Sequence, residues 1–386
     1  MEPTISVSRC HPFPDVLEPL TSVRFVLALG VVLFHYQLAW SLPAEASGLL
    51  NRARLGVDVF FILSGFILTH VYLQGDRMPS YRRFLVARFA RIYPAHIFIL
   101  LGMLGLVGAA TILGVELEPG RFNTPDFIQT LLLIQAWFPR QAMTLWNGPA
   151  WSLSAEWFAY LTFPLFGWVA LRLRERPWVL IGVAVLIFVA FDAVYRAAFG
   201  IVLPRAEDSL GILRVIPEFM FGIGLYYLGQ RIRLTQRTAV AASVSATLAL
   251  LVAMQVPLDD RLIVAFAGPF ILALALLAKS GAVTVLSRPT WLFAGEASYA
   301  LYLVHIPVLM VWRNAVQALT GLDSTYRMGL PELAILLTIT LIAAASIHTA
   351  VERPGRRLIR RLLDHSQPEP AAERRRSVHS DQGEPF

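Results

Sequence analysis

The chain has 386 residues, of which 56% are hydrophobic and only 15% are charged, and its mean hydropathy is +0.60. Soluble domains are about a quarter charged, so this composition excludes an ordinary soluble enzyme and indicates a membrane protein with several spans. The formal charge of +7 comes mostly from arginines in the polar loops, and we expect no nucleic-acid partner. Cys10 is the single cysteine, which excludes intrachain disulfides and cysteine-based zinc sites, and we expect no bound metal.

The first hydrophobic stretch, residues 20–40, is long enough to cross a bilayer yet contains Arg24 and His35. An arginine in hydrocarbon costs about 2.5 to 3.5 kcal/mol on insertion scales, so such residues indicate function. A separation of eleven residues is about three helical turns, which places both side chains on one face about 16 Å apart. This spacing suits one elongated ligand that is held at two depths.

Apolar runs of about twenty residues predict ten spanning helices. They cover residues 20–40, 56–74, 92–114, 149–171, 178–200, 210–230, 238–256, 262–279, 291–315 and 331–350. Residues 127–138 are too few to cross unaided and are bounded by Pro125 and Pro139, so we predict a re-entrant or interfacial segment. The predicted fold class is an all-α polytopic membrane protein, a bundle of about ten transmembrane helices.

Arginine and lysine are concentrated in alternate loops. If the N-terminus is inside, the cytoplasmic segments hold 22 of them and the opposite side holds 7, which predicts that both termini are cytoplasmic. We divide the chain into an N-terminal cytoplasmic segment (1–19), a membrane domain (20–352) and a basic cytoplasmic tail (353–386). We expect the tail to be disordered.

The rise of about 1.5 Å per residue gives each polar residue in a span an approximate depth. Five of them, from five spans, fall in one layer of the outer half: His35, Ser64, Glu156, Glu218 and His305. Four fall near the inner surface: Arg24, Arg88, Arg91 and Glu296. A shared layer predicts a polar cavity within the bundle rather than charges that face lipid.

Six of these residues also have a purely structural interpretation. Arg24 could extend its side chain to the inner headgroups, and His35 could simply hydrogen-bond a neighbouring helix. His305, which precedes Pro307, could stabilise a helix kink, and Ser64 could serve close helix packing. The arginines of residues 82–91 could reflect membrane orientation alone.

Six motifs in a fixed order carry a resemblance to a known family. They are Arg24 and His35 with ten residues between them, GVDVFFILSGFIL (56–68), FLVARFARIYP (84–94), GPAWSLSAEWFAYLTFP (148–164), EASYALYLVHIPV (296–308) and VERP (351–354). Together they span nearly the whole membrane part. On these motifs the chain resembles the acyltransferase-3 family of integral membrane O-acyltransferases.

The resemblance implies a ten-span bundle in the bacterial inner membrane that takes an acyl group, usually acetyl, from cytoplasmic acyl-CoA. The acceptor would be a hydroxyl, most often on a cell-envelope or exported glycan; a small hydroxylated metabolite or a lipid headgroup would use the same chemistry. The family's essential arginine and histidine correspond to Arg24 and His35, and the histidine is its proposed catalytic residue. The family's glutamate corresponds to Glu156.

The family's basic loop, proposed to meet the CoA phosphates, corresponds to Arg88 and Arg91. Relatives often have paired arginines where this chain has Ala87 and Arg88. This departure allows a weaker or differently arranged grip on the donor.

The combined hypothesis has Arg24, Arg88 and Arg91 bind the CoA phosphates. His35 acts on the acceptor hydroxyl as a general base or, alternatively, forms an acyl-histidine. Glu156 is expected to fix the tautomer of His35, and the third catalytic candidate, His305, to hydrogen-bond the oxyanion or the acceptor.

Two other classes of function remain open at this stage. A transporter or flippase for a glycan or lipid intermediate would use the buried charges as a relay. A sensor or scaffold would have no catalysis, and the polar layer would then have no explanation. Tight, specific binding of CoA is the discriminating observation, because transport predicts none.

Overall fold

The computed structural model describes residues 12–40, 47–73, 75, 78–114, 120–140, 146–321 and 325–364. Cys10, with most of the predicted N-terminal segment, and the predicted tail from residue 365 onward lie outside the described residues. The α-helices are α1 (Glu18–Gln37), α2 (Ser47–Arg52), α3 (Gly56–Tyr72), α4 (Tyr81–Ile112), α5 (Thr124–Leu131), α6 (Ala150–Leu161), α7 (Phe163–Leu173), α8 (Pro177–Phe199), α9 (Ile212–Arg231), α10 (Gln236–Gln255), α11 (Asp260–Lys279), α12 (Pro289–Thr320), α13 (Leu330–Ile347) and α14 (Arg353–Asp364). One turn of π-helix, His348–Glu352, joins α13 to α14.

The described part of the chain is helical, without strands, and contains nine helical stretches that are long and apolar enough to cross a membrane. They are formed by α1, by α2 with α3, by α4, by α8 to α12, and by α13 with the helical turns that follow it. The predicted all-α polytopic fold is confirmed, and the chain is an integral membrane protein.

The remaining predicted span, residues 149–171, is a broken helix. Helix α6 ends at Leu161, and α7 begins at Phe163 with Pro164 in its first turn. Proline has no amide proton, and its ring clashes with the carbonyl one turn earlier, which destabilises a continuous helix at Pro164 and favours the break before it. Each half is shorter than the approximately 20 residues that a crossing needs.

Two segment boundaries that we predicted differ from the structure, and both lie in arginine-rich stretches. Helix α4 begins at Tyr81 rather than near residue 92. Residues 353–364, which we expected to belong to a disordered tail, instead form α14. The alternation of Arg and Leu makes this helix amphipathic, and Gly355 lets it approach α4, where an added Cβ would lie 2.6 Å from Pro94 Cβ.

The segment predicted to be re-entrant or interfacial begins as α5 and continues without regular structure after Leu131. The irregular part is buried against α6, where Gln135 Nε2 donates to the carbonyl of Ala150 at 2.8 Å. The Ser154 hydroxyl oxygen accepts from the amide of Ala136 at 3.1 Å, and its carbonyl accepts from Trp137 Nε1 at 3.0 Å. The bond from the Ala136 amide satisfies a backbone donor of the irregular segment, and the other two satisfy buried side-chain donors.

Glycines bring two pairs of helices into backbone contact. A Cβ at Gly65 of α3 would lie 2.0 Å from the carbonyl oxygen of Phe219 in α9. A Cβ at Gly295 of α12 would lie 2.1 Å from the carbonyl oxygen of Thr21 in α1. Since no larger residue fits at these positions, the glycines fix how closely α3 approaches α9 and α1 approaches α12.

Candidate active site

Two histidine rings from different helices meet inside the bundle. His35 lies near the C-terminal end of α1, and His305 lies in the middle of α12. His305 Nε2 is 3.1 Å from His35 Nδ1, and the ring centroids are 4.9 Å apart. His305 is fully buried, whereas His35 is half-buried. The sequence placed them at one depth, and the structure brings them into contact.

The backbone around His305 is held by side chains from other segments. Pro307 has no amide to donate to the carbonyl of Leu303, and that carbonyl accepts instead from Asn147 Nδ2 at 3.0 Å. The carbonyl of His305 itself accepts from the Tyr36 hydroxyl at 3.1 Å. These contacts fix the part of α12 that carries the histidine.

The three arginines predicted to bind the donor line one cavity: Arg24 from α1, and Arg88 and Arg91 from α4. The cavity encloses about 880 Å³ of empty space, including its open mouth. Its other polar lining residues are Ser64, Ser152, Glu156, Tyr160, Ser298, Tyr299 and Tyr302. The predicted convergence of Arg24, Arg88 and Arg91 is therefore present in the structure.

Two buried guanidinium groups at this cavity are only partly hydrogen-bonded. Arg91 forms an ion pair with the buried Glu352 and stacks over Tyr299, whose ring centroid is 5.3 Å away. Arg88 donates from Nη2 to the Tyr72 hydroxyl at 3.0 Å. Arg88 Nε and Arg91 Nη2 are buried and have no hydrogen-bond partner in the described part of the chain. Such donors suit an anionic ligand.

Glu156 belongs to the arginine cavity rather than to the histidine pair. Its Oε1 accepts from the Tyr160 hydroxyl at 2.6 Å and from the Ser64 hydroxyl at 2.8 Å. Within the described residues Glu156 shares no hydrogen bond with His35. The expectation that Glu156 fixes the tautomer of His35 is wrong, because packing of α1 on α12 places His305 at that ring nitrogen.

The predicted layer thus separates into groups. Ser64 and Glu156 lie in the cavity, and His35 and His305 form a pair that does not line it. Tyr302 connects the two, since it lines the cavity and its ring centroid is 5.9 Å from that of His305.

The fifth residue of the layer, Glu218, lies near Asp58 and Arg214, and neither of its carboxylate oxygens has a hydrogen-bond partner among the described residues. Those two form a buried ion pair with Arg214 Nη2 2.7 Å from Asp58 Oδ2. This third group lies outside the lining of the arginine cavity.

Sequence reasoning gave no role to Glu352, Tyr72 or Tyr160. The VERP motif contains Glu352 and was the one available signal for it; nothing in the sequence distinguished the two tyrosines from other aromatic residues. Across the described ranges, no three His, Cys, Asp or Glu side chains are grouped so that they could hold a metal ion.

The chain is similar to a known protein family and to several individual proteins. Residues 20–349 match the family described as an acyltransferase domain. Acyltransferase MdmB of Streptomyces mycarofaciens is 30% identical over 381 residues, which cover 92% of this chain and 96% of that protein. Protein 2 in the picA locus of Rhizobium radiobacter is 33% identical over 196 residues, 46% of this chain and 95% of that protein.

A more distant relative is SACOL0978 of Staphylococcus aureus (strain COL), which carries O-acetyltransferase in its name. It is 22% identical over 320 residues, 75% of this chain and 50% of that protein, so the similarity spans half of it. No solved structure matches the chain.

Proposed function

The chain belongs to the acyltransferase-3 family of acyltransferase domains, and from this premise we propose that it is an O-acyltransferase that uses acyl-CoA as its donor. The acyl group is acetyl, and the acceptor is a hydroxyl of a cell-envelope or exported glycan. A small hydroxylated metabolite is the alternative acceptor. The enzyme works in the bacterial inner membrane with both termini in the cytoplasm.

One observation carries the proposal: Arg24, Arg88 and Arg91 converge on a single cavity, where Arg88 Nε and Arg91 Nη2 have no hydrogen-bond partner among the described residues. Acyl-CoA has an anionic head and a long neutral arm that ends in a thioester. Charge-assisted hydrogen bonds from guanidinium groups to phosphate are among the strongest that proteins make. The arginines hold the phosphates, and the arm passes Tyr302 toward the histidine pair.

His35 supplies the base that the reaction needs, because a hydroxyl is a poor nucleophile at neutral pH. As the acceptor oxygen attacks the thioester carbonyl, its proton moves to the imidazole. The carbon–sulfur bond then breaks, the CoA thiolate leaves, and the imidazole returns the proton to it. An acyl-histidine formed on His35 would give the same products in two transfers.

Transfer of label from radioactive acetyl-CoA tests the proposal. Membranes with equal amounts of wild type or His35→Ala are incubated with the donor, and glycans, lipids and small metabolites are extracted separately. We expect label in one acceptor fraction with wild type alone, and that fraction identifies the acceptor class. Equal labelling by both would remove His35 from the chemistry. A wild-type protein that neither binds CoA nor transfers label would contradict the proposal and favour a transporter.

A further inference from the structure

We propose that His305 is a positioning residue that accepts a hydrogen bond from His35 Nδ1 and thereby leaves His35 Nε2 as the basic nitrogen. This inference rests on the proposed function, in which His35 acts on the acceptor hydroxyl. It assigns to a second imidazole the role that a carboxylate has in many hydrolase triads.

The neighbours of His305 determine which of its two ring nitrogens carries the proton. Its Nδ1 lies 2.7 Å from the carbonyl oxygen of Tyr302, and a carbonyl oxygen can only accept. Nδ1 of His305 therefore carries a proton. The ring is fully buried, and no carboxylate within the described ranges hydrogen-bonds it, so a second proton would place an uncompensated charge inside the protein. Nε2 of His305 is therefore an acceptor.

The neighbours of His35 determine its tautomer in the same way. Its Nδ1 faces His305 Nε2 at 3.1 Å and the carbonyl oxygen of Val31 at 2.9 Å, and both of those atoms are acceptors. Nδ1 of His35 must therefore carry the proton, which it shares between them. Any other neutral arrangement of the pair sets two lone pairs against each other.

The proton on His35 Nδ1 decides which nitrogen of that ring is basic. In neutral imidazole one nitrogen carries the proton and the other a lone pair, so His35 Nε2 is the basic atom. It makes no hydrogen bond to the described residues and is left for the acceptor hydroxyl. When Nε2 takes up a proton, the Nδ1 proton becomes a stronger donor, and His305 Nε2 stabilises the imidazolium without a carboxylate.

Substitutions at His305 separate this role from packing. His305→Phe keeps the ring volume and removes the acceptor, whereas His305→Gln retains an acceptor oxygen. Asn314→Ala is the matched control, because Asn314 is exposed on the same helix and donates from Nδ2 to the carbonyl of Met310 in that helix. Acetyl transfer is measured as kcat and KM for each variant, together with the Kd of acetyl-CoA.

We expect His305→Phe to lower kcat about 100-fold, the upper end of the loss when a metal-bound histidine loses its outer hydrogen-bond partner, with KM and donor Kd within about twofold of wild type. His305→Gln should recover at least about tenfold of that loss. A wild-type kcat in His305→Phe would overturn the inference. Equal losses in Phe and Gln would also overturn it, because the effect would then belong to packing.

A second measurement does not depend on turnover. In protein labelled with 15N-histidine and placed in lipid, the signal that disappears in His35→Ala identifies His35. We expect that ring to carry its proton on Nδ1, with a coupling across the hydrogen bond to a second histidine that is lost in His305→Phe. A proton on His35 Nε2 would overturn the inference even if transfer were normal. Failure of transfer in wild type with the expected tautomer would contradict the proposed function alone.

Discussion

Glu352 holds Arg91 in a buried ion pair at the wall of the cavity. The π-helical turn that ends at Glu352 places this carboxylate, and His348 Nδ1 contacts its other oxygen at 3.0 Å. π-helical turns are rare and are frequently found at functional sites, and this one lies beside Arg91 at the wall of the cavity. The ion pair orients Arg91 and leaves Nη2 for a ligand.

Removal of Glu352 should destabilise the protein. Glu352→Ala leaves the guanidinium of Arg91 buried and unpaired, which typically costs about 3 to 5 kcal/mol of unfolding free energy. Thermal unfolding of the purified protein in detergent measures the loss. Glu175→Ala is the control, because Glu175 pairs with Arg231 at an exposed site, where a salt bridge contributes about 0 to 1 kcal/mol. Equal unfolding temperatures for the two variants would contradict the structural role of Glu352.

Arg88 should contribute to the affinity for the donor. Arg88→Gln removes the charge and the unpartnered Nε from the cavity. The loss of one hydrogen bond to a charged group, about 1.5 to 3 kcal/mol, raises the Kd of acetyl-CoA roughly 10- to 150-fold. Calorimetric titration of purified protein measures this constant.

The control for Arg88 is Arg83→Gln, an exposed arginine in the same helix that does not line the cavity. Its affinity should match wild type. If both variants bound the donor as wild type does, Arg88 would have no part in holding the phosphates. If both lost affinity equally, the effect would come from general surface charge rather than from the cavity.

Close packing of α3 on α9 can be tested at Gly65. Gly65→Ala introduces a Cβ 2.0 Å from the carbonyl oxygen of Phe219, so the helices must separate and Ser64 must move from Glu156. Overpacking of this kind costs about 1 to 3 kcal/mol, and acetyl transfer should fall with it. Gly102→Ala in α4 meets nothing within 4 Å and should leave the unfolding temperature unchanged or slightly higher. A Gly65→Ala protein as stable as Gly102→Ala would show that α3 and α9 are not in contact.

The fold was largely predictable because a helix that crosses a membrane needs a long run of apolar residues, and hydropathy detects such runs. Runs of apolar residues gave nine of the spans, whereas the break at Pro164 was missed because apolar residues continue on both sides of it. The first turns of α4 and the whole of α14 were missed for the opposite reason: their arginines lower the local hydropathy although the backbone is helical.

The part of the site that was predictable is the part whose depth in the membrane follows from the number of helical turns alone. His35 and His305 lie on spans that run in the same direction, and the equal count of turns brought them to one level. Glu156 meets Ser64 of the same predicted layer, but its expected contact with His35 is absent, because its carboxylate accepts from Ser64 and Tyr160 instead. The pairing of Arg91 with Glu352 depends on how distant segments pack, and sequence patterns do not reveal that packing.

The contact between Asn147 and α12 allows a sharper test, because a single proline creates the need for it. Pro307 leaves the carbonyl of Leu303 without its helical donor, and Asn147 supplies the missing hydrogen bond. Asn147→Ala should therefore cost about 1 to 3 kcal/mol of unfolding free energy, the penalty for a buried polar group without a partner.

Pro307→Ala provides an amide at residue 307, which can bond the Leu303 carbonyl within the helix. In that background Asn147→Ala should cost clearly less than in wild type, and the difference is the coupling energy of the pair. Unfolding in denaturant of the four proteins measures it. Additive losses would show that Asn147 stabilises the protein through contacts other than the Leu303 carbonyl. Because Leu303 and His305 lie in the same turn, we expect the Asn147→Ala protein that remains folded to transfer acetyl more slowly, and Pro307→Ala to restore part of the rate.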